Sequence, residues 1–328
     1  MARLNRIRRT ERPAGVPAPF ESAVPAGTAG TRWTRGRWTL LGMAAPSLVL
    51  LLLFAYLPLI GWLLAFYDYK PGYDFFNLKF AGLKYVILAF SDGEILRILR
   101  NTLVMSGLNL LFSPLPMVFA IFLTEIRFKW IKKLIQTTTT LPYFISWVLV
   151  FALAYVMFNI NDGLFNKLVV ALGLSDKALD ILGNEDIVWY FQTGIGIWKG
   201  LGFSAIVYVA AITGIDPELV DAAAVDGAGR YRRILHVVLP GLLPTYFVLL
   251  LLGIGNLLNN GFEQYYLFYN GLVANKIEVL DYYVYRMGIF LGNYPISTAI
   301  GMTKTLVSIL LLTIANQSAR VLLDRKLF

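Results

Sequence analysis

The residues of this 328-residue chain that could act on another molecule are few and mostly neutral. Lys199 sits in the stretch Trp198-Lys199-Gly200-Leu201-Gly202-Phe203, and Asn256, Asn259, Asn260 and Glu263 follow closely after Gly253. Amides and an ammonium beside aromatic rings suit a polyhydroxylated ligand, because hydroxyls need paired donors and acceptors and a sugar ring needs a flat apolar face. The same amides also suit hydrogen bonds between helices. Covalent chemistry has little to work with. There is no cysteine, hence no disulfide, thiolate metal site or thiol nucleophile, and the one histidine, His236, is too few for a zinc or di-metal cluster. No Gly-x-x-x-x-Gly-Lys-Ser/Thr loop is present to cradle a nucleotide triphosphate.

The elements that must position these residues are set by composition. The chain is 57% hydrophobic and 15% charged, with a mean hydropathy of +0.63, whereas a soluble domain carries about 25% charge. Apolar residues come in long unbroken runs, and a bilayer core of about 30 Å needs about 20 of them per helix. Six runs qualify: Thr39–Tyr67, Thr102–Thr124, Leu134–Asn161, a segment from Trp189 to Ile215, Leu239–Phe262 and Ile296–Gln317. The fold class expected is therefore an all-α membrane protein with about six transmembrane helices. Prolines 46, 58, 114, 116, 142 and 244 fall within the runs, where neighbouring helices and side chains must satisfy the backbone groups they free.

Charge sets the expected orientation. Residues 1–37 carry eight arginines and four prolines and read as a disordered basic tail, leaving 38–328 as the membrane-spanning domain. Basic residues recur at Arg127–Lys133, Arg230–Arg233 and Arg320–Lys326, while Asp162–Asp186 holds five acids against two lysines. This alternation places both termini in the cytoplasm. The net charge of +9 is thereby explained without nucleic acid. A lysine mid-span costs about 2.5–3.5 kcal/mol, so Lys199, about 15 Å deep at 1.5 Å per residue, should face a cavity or a partner. Lys304 is expected to snorkel outward. The Tyr265–Tyr269 and Tyr282–Tyr285 groups are expected to form an interfacial belt.

The segment between the fourth and fifth runs, Asp216 to Pro240, is the most patterned part of the chain. Asp216-Pro217 is a helix start, an N-cap followed by proline at the first helical position. Gly227 and Gly229 end that short helix, and a second short basic helix should run to Pro240. Asp221, Ala222, Ala223, Gly227, Val237, Leu239 and Pro240 fit the spacing Glu-Ala-Ala, three residues, Gly, nine residues, Ile, one residue, Leu-Pro. This resembles the EAA loop of binding-protein-dependent ABC importers, with Asp in place of Glu and Val in place of Ile. From about Arg100 onward the chain looks closest to maltose-type permeases of the oligosaccharide branch.

The resemblance implies a type I ABC importer permease fold in the bacterial inner membrane. It implies a coupling helix whose Asp221, Ala222, Ala223, Gly227, Leu239 and Pro240 meet an ATPase subunit. It also implies a substrate face from Trp198, Lys199, Gly200, Phe203, Gly253, Asn256, Asn259, Asn260 and Glu263. The implied partners are a second permease, in all expectation a different chain, an ATPase dimer carrying ATP and magnesium, an extracytoplasmic sugar-binding protein and an oligosaccharide, with alginate fragments a candidate. The chain itself would bind no cofactor and catalyse nothing. An ion-coupled sugar transporter is the alternative, but it would require carboxylates inside the membrane runs, and these contain none. Accessibility tags at the N-terminus, in 125–133 and at the C-terminus should be cytoplasmic, and tags in 68–98, 162–186 and 270–290 external. A cytoplasmic signal from residue 175 would overturn the six-span topology.

Overall fold

The computed structural model of the chain describes residues 35–72, 74, 78–91 and 93–323, with side chains from 38 to 319. The tail before residue 35 and the side chains of Arg320, Arg325 and Lys326 lie outside the described residues. Residues up to Leu57 form one unit and those from Pro58 another. In the first, α1 (Arg35–Leu51, Pro46 inside it) runs into a π-helical turn at Leu52–Tyr56, so helix begins within the stretch expected to be tail. Its leucines, Met43 and Phe54 are exposed, the pattern of a helix whose solvent is lipid.

A 3₁₀ stretch, Leu57–Phe66, opens at the last residue of the first unit, and the second unit continues with α2 (Lys84–Ser91), α3 (Gly93–Leu111), α4 (Leu115–Thr124), α5 (Lys129–Phe144), α6 (Trp147–Phe158), α7 (Leu164–Ala171) and α8 (Val188–Thr213). After these come α9 (Pro217–Val225), α10 (Arg230–Arg233), α11 (Leu239–Gly255), α12 (Glu263–Phe268), α13 (Ala274–Ile277), α14 (Leu280–Tyr285) and α15 (Tyr294–Leu323). Among the described residues, five stretches are long and apolar enough to cross a membrane: Trp38–Phe66, Gly93–Thr124, Val188–Thr213, Arg230–Gly255 and Tyr294–Ala319.

The run expected as the third span departs from a straight helix. It is α5 and α6, bent by 105° at Ile145-Ser146, and counts as a sixth span only if the bent pair crosses together. Pro142 lies in the last turn of α5, and Ser146 caps α6 by accepting a hydrogen bond from Leu149 N at 3.4 Å. Pro114 and Pro116 likewise stand where α3 gives way to α4. The second basic helix also differs from expectation. It does not stop at Pro240 but passes through a π turn at Ile234–Val238 straight into α11, and Pro240, which has no N–H to donate, follows directly on that widened turn.

Two polar clasps hold the bundle. Near the start of α3, Arg97 reaches Glu94 and Glu278 at 3.2 Å each, and Arg286 reaches Glu94 at 2.6 Å and Glu278 at 2.7 Å. Glu278 is 2% exposed. Burial pushes its carboxyl up from the ordinary value, Arg286 pulls it back, Glu94 pushes it up again, and Arg97 pulls it down. The second clasp corrects an expectation: Lys304 does not snorkel outward but pairs with Asp281, whose other oxygen accepts from Gly261 N at 2.9 Å. The aromatic groups also differ from a belt. Tyr265, Phe268, Tyr282 and Tyr283 are buried core, and only Tyr266 and Tyr269 stay exposed as a belt would require.

Helix α8 packs along α4 and α5. The α5 approach is set by Gly202, where a Cβ would lie 2.3 Å from the Thr139 carbonyl oxygen. Gly200, two residues away, has nothing within 4 Å of a built Cβ. Gly202→Val should therefore lower stability by about 1–3 kcal/mol or more through overpacking, read as an earlier thermal unfolding midpoint in detergent, while Gly200→Ala leaves it in place. Equal midpoints for the two variants would refute the close approach.

Candidate translocation cavity and coupling bracket

The stretch from Trp198 to Phe203 spans about one and a half helical turns, and each residue turns the helix by about 100°. Its members therefore cannot share a face, and they do not. Gly200, with Gly196 and Ser204, lines a cavity of about 300 Å³. Trp198, with Phe191, Gly194 and Ile195, lines an apolar groove of about 530 Å³ against α6. Lys199 and Phe203 turn toward the end of α5. Phe203 stacks on Tyr143 with ring centroids 3.9 Å apart and planes 3° from parallel. The Lys199 Nζ donates to the carbonyls of Pro142, Tyr143 and Ile145 at 3.2, 2.8 and 2.7 Å.

The cavity beside Gly200 shares Asn109, Ser113, Leu249 and Leu250 with a second one of about 210 Å³. That second cavity gathers Gly253, Asn256, Asn259 and Asn260 from the α11 end. Asn256 is the C-cap of α11, so Asn259 and Asn260 stand on the turn after the helix rather than on it. Asn260 Nδ2 donates to Ser106 Oγ at 2.9 Å, and its Oδ1 is buried with no partner among the described residues. Glu263 is exposed at the start of α12 and outside both linings.

The opposite wall went unnoticed in the sequence. Ser106, Asn109 and Ser113 come from α3 and the turn after it, and Tyr246 from α11, its hydroxyl 3.3 Å from Ser113 Oγ. A usable signal was present, since 106, 109 and 113 are polar at i, i+3 and i+7 in an otherwise apolar run. Together the two linings offer amides and hydroxyls and no charged side chain.

At the other functional region, Asp216 caps α9 by accepting from Glu218 N at 3.0 Å. The helix closes on Gly227, whose φ of 74° is left-handed and unfavourable with a Cβ. Ala228 N donates to Ala223 O at 2.9 Å and Gly227 N to Ala224 O at 3.1 Å, the paired bonds of a glycine-terminated helix. No residue of α9 is buried, and Leu219 and Val225 are 57% and 88% exposed. Asp221, Ala222, Gly227 and Pro240 are exposed and Ala223 half-buried, while Leu239 packs inward among Met117, Ala120 and Leu242. Arg230 pairs with the Glu125 side chain and its backbone carbonyl, which ties the bracket to the end of α4.

Comparison with known proteins gives concordant matches. Residues 113–327 match the family described as binding-protein-dependent transport system inner membrane component. Protein LplB of Bacillus subtilis is 38% identical over 312 residues, 93% of this chain and 96% of that protein. The polygalacturonan/rhamnogalacturonan transport system permease protein YteP of the same organism is 39% identical over 281 residues, covering 85% and 86%. Among solved structures, a bacterial alginate ABC transporter in complex with an alginate pentasaccharide-bound periplasmic protein matches with a TM-score of 0.80 at 33% identity, over 88% of this chain and 96% of that one. With that match covering most of its spans, and an EAA-type bracket between α8 and α11, the chain belongs to the inner membrane components of binding-protein-dependent transport systems.

Proposed function

We propose that this chain is the translocating permease of an ATP-driven importer that carries an oligosaccharide into the cell by alternating access. The observation that carries the reading is the exposed bracket from Asp216 to Pro240. Its small residues Ala222, Ala223 and Gly227 admit a close neighbour, and its far end is continuous with α11, which lines the cavity. A separate ATPase dimer seats on α9 and supplies ATP, magnesium and all hydrolysis, and this chain performs no catalysis and binds no cofactor. A second permease completes the cavity, and an extracytoplasmic sugar-binding protein delivers the ligand. Both chain termini lie in the cytoplasm. Fragments of acidic polysaccharide are the first substrates to try, given what LplB's companion match YteP and the alginate transporter are described as moving.

The substrate face proposed is Asn256, Asn259 and Asn260 with Gly200 and Gly253, together with Ser106, Asn109, Ser113 and Tyr246. Neutral amides and hydroxyls exchange hydrogen bonds with sugar hydroxyls without a desolvated charge. Losing one such bond costs about 0.5–1.5 kcal/mol. Asn109→Leu or Asn260→Leu should thus raise the half-saturating oligosaccharide concentration by about 2- to 10-fold in proteoliposomes holding the whole complex. Uptake that proceeds without ATP would sink the importer reading.

The bracket is tested separately. Proline cannot adopt the φ of Gly227, so Gly227→Pro should break the turn and either release the ATPase on purification or cut coupled uptake by about tenfold or more. Full copurification together with normal transport in that variant would refute the coupling role.

A further inference from the structure

We infer that Lys199 is a positioning residue: its ammonium caps the broken end of α5 and latches the α5–α6 bend to α8, and it does not receive the substrate. The last carbonyls of any helix lack intrahelical partners, and α5 ends by swinging through Ile145 in an extended conformation before α6 starts at Trp147. Its final carbonyls therefore point away from any continuing helix and need donors from elsewhere. An ammonium has three N–H donors and no more. Those of Lys199 go to Pro142 and Tyr143, in the last turn of α5, and to Ile145, in the break itself. None is left for a ligand carboxylate.

Independent contacts mark the same turn of α8 as the seat of the latch. Gly202 lets the Thr139 and Thr140 backbone approach within what a Cβ would occupy. Phe203 stacks on Tyr143. The Lys199 Nζ also lies 5.5 Å from the centre of the Tyr143 ring and 5.3 Å from that of Trp147, one ring on each side of the bend. The positive charge complements the negative end of the α5 dipole as well. Lys199 consequently fixes two things: the direction in which α6 leaves α5, and the rotation of α8 about its own axis. The second is what turns Gly196, Gly200 and Ser204 toward the cavity.

The inference rests on the transport reading only for its activity readout, so a structural readout is paired with it. The chain has no cysteine, so cysteines placed at exposed Leu134 of α5 and exposed Val156 of α6 are the only thiols this chain offers a spin label, and the purified complex without them, labelled in parallel, gives the background of the partner subunits. The natural latch should give one narrow inter-label distance. Lys199→Met should broaden it, and Lys199→Arg, which keeps charge and donors, should restore it. In proteoliposomes Lys199→Met should lower maximal uptake by about tenfold, with the half-saturating concentration little changed, equally for neutral and uronate oligosaccharides, and Lys199→Arg should recover most of the rate.

An unchanged distance in Lys199→Met, with weakened half-saturation for uronate substrates alone, would overturn the latch and make the lysine a substrate cation. If Lys199→Met does not assemble, Lys199→Gln, with two N–H donors, is read by the same distance, and an unbroadened distribution there overturns the inference. A wild-type complex that transports no sugar would count against the proposed function and leave the distance measurement to decide the latch.

Discussion

A backbone carbonyl in the bilayer has no water to bond, so every place where a helix stops or bends must bring its own donor. Much of this structure follows from how the chain meets that constraint. At the α5–α6 bend the donor is an ammonium on a neighbouring helix, Lys199. Where α11 ends, Asn256 donates to Leu252 O at 2.9 Å, and Ser106 reaches across from α3 to the Leu257 carbonyl at 2.5 Å. Around α13, Asn101 from the middle of α3 serves the carbonyls of Asn275 and Glu278 at 2.8 and 3.1 Å. Each break is thus tied to a different helix, and the breaks become the joints that fix the bundle.

The same accounting settles where the charges go. Lys199 is spent on carbonyls and Lys304 on Asp281, which leaves the two shared cavities lined by neutral polar groups. For a transporter this is a useful balance. A desolvated free charge would hold an ionic ligand tightly, whereas several modest hydrogen bonds of about 0.5–1.5 kcal/mol each orient a sugar and still let it leave. On the proposed substrate face, discrimination of acidic from neutral ligands would fall to residues outside those linings or to the partner subunits.

Helix α11 joins the two functional regions mechanically. The bracket passes through α10 and the π turn into α11 without a gap, and α11 carries Tyr246, Leu249, Leu250 and Gly253 into the cavity walls. The Arg230–Glu125 pair binds the bracket to the end of α4 as well, and α4 packs on α8. A displacement of α9 therefore reaches the cavity along packed helices that resist compression. The π turn at Ile234–Val238 is the irregular point on that path, a feature often found at functional sites.

Membrane residence, the approximate spans and the bracket's caps were legible in the sequence, because they rest on local quantities: run length, charge alternation, and the backbone preferences of Asp216-Pro217 and Gly227. Membership of the substrate face was legible only in part. Asn256, Asn259 and Asn260 do gather at one cavity, but the Trp198–Phe203 stretch divides among three surroundings, since neighbours on a helix point in different directions and only packing says which direction is the cavity. The bend within the third run, the inward pairing of Lys304 with Asp281 and the burial of Tyr265 and Tyr282 were likewise beyond sequence. A lysine in an apolar run announces that a partner exists. Which partner, a carbonyl fifty-odd residues away or a carboxylate on another helix, depends on contacts between distant segments, and those are decided by the tertiary structure alone.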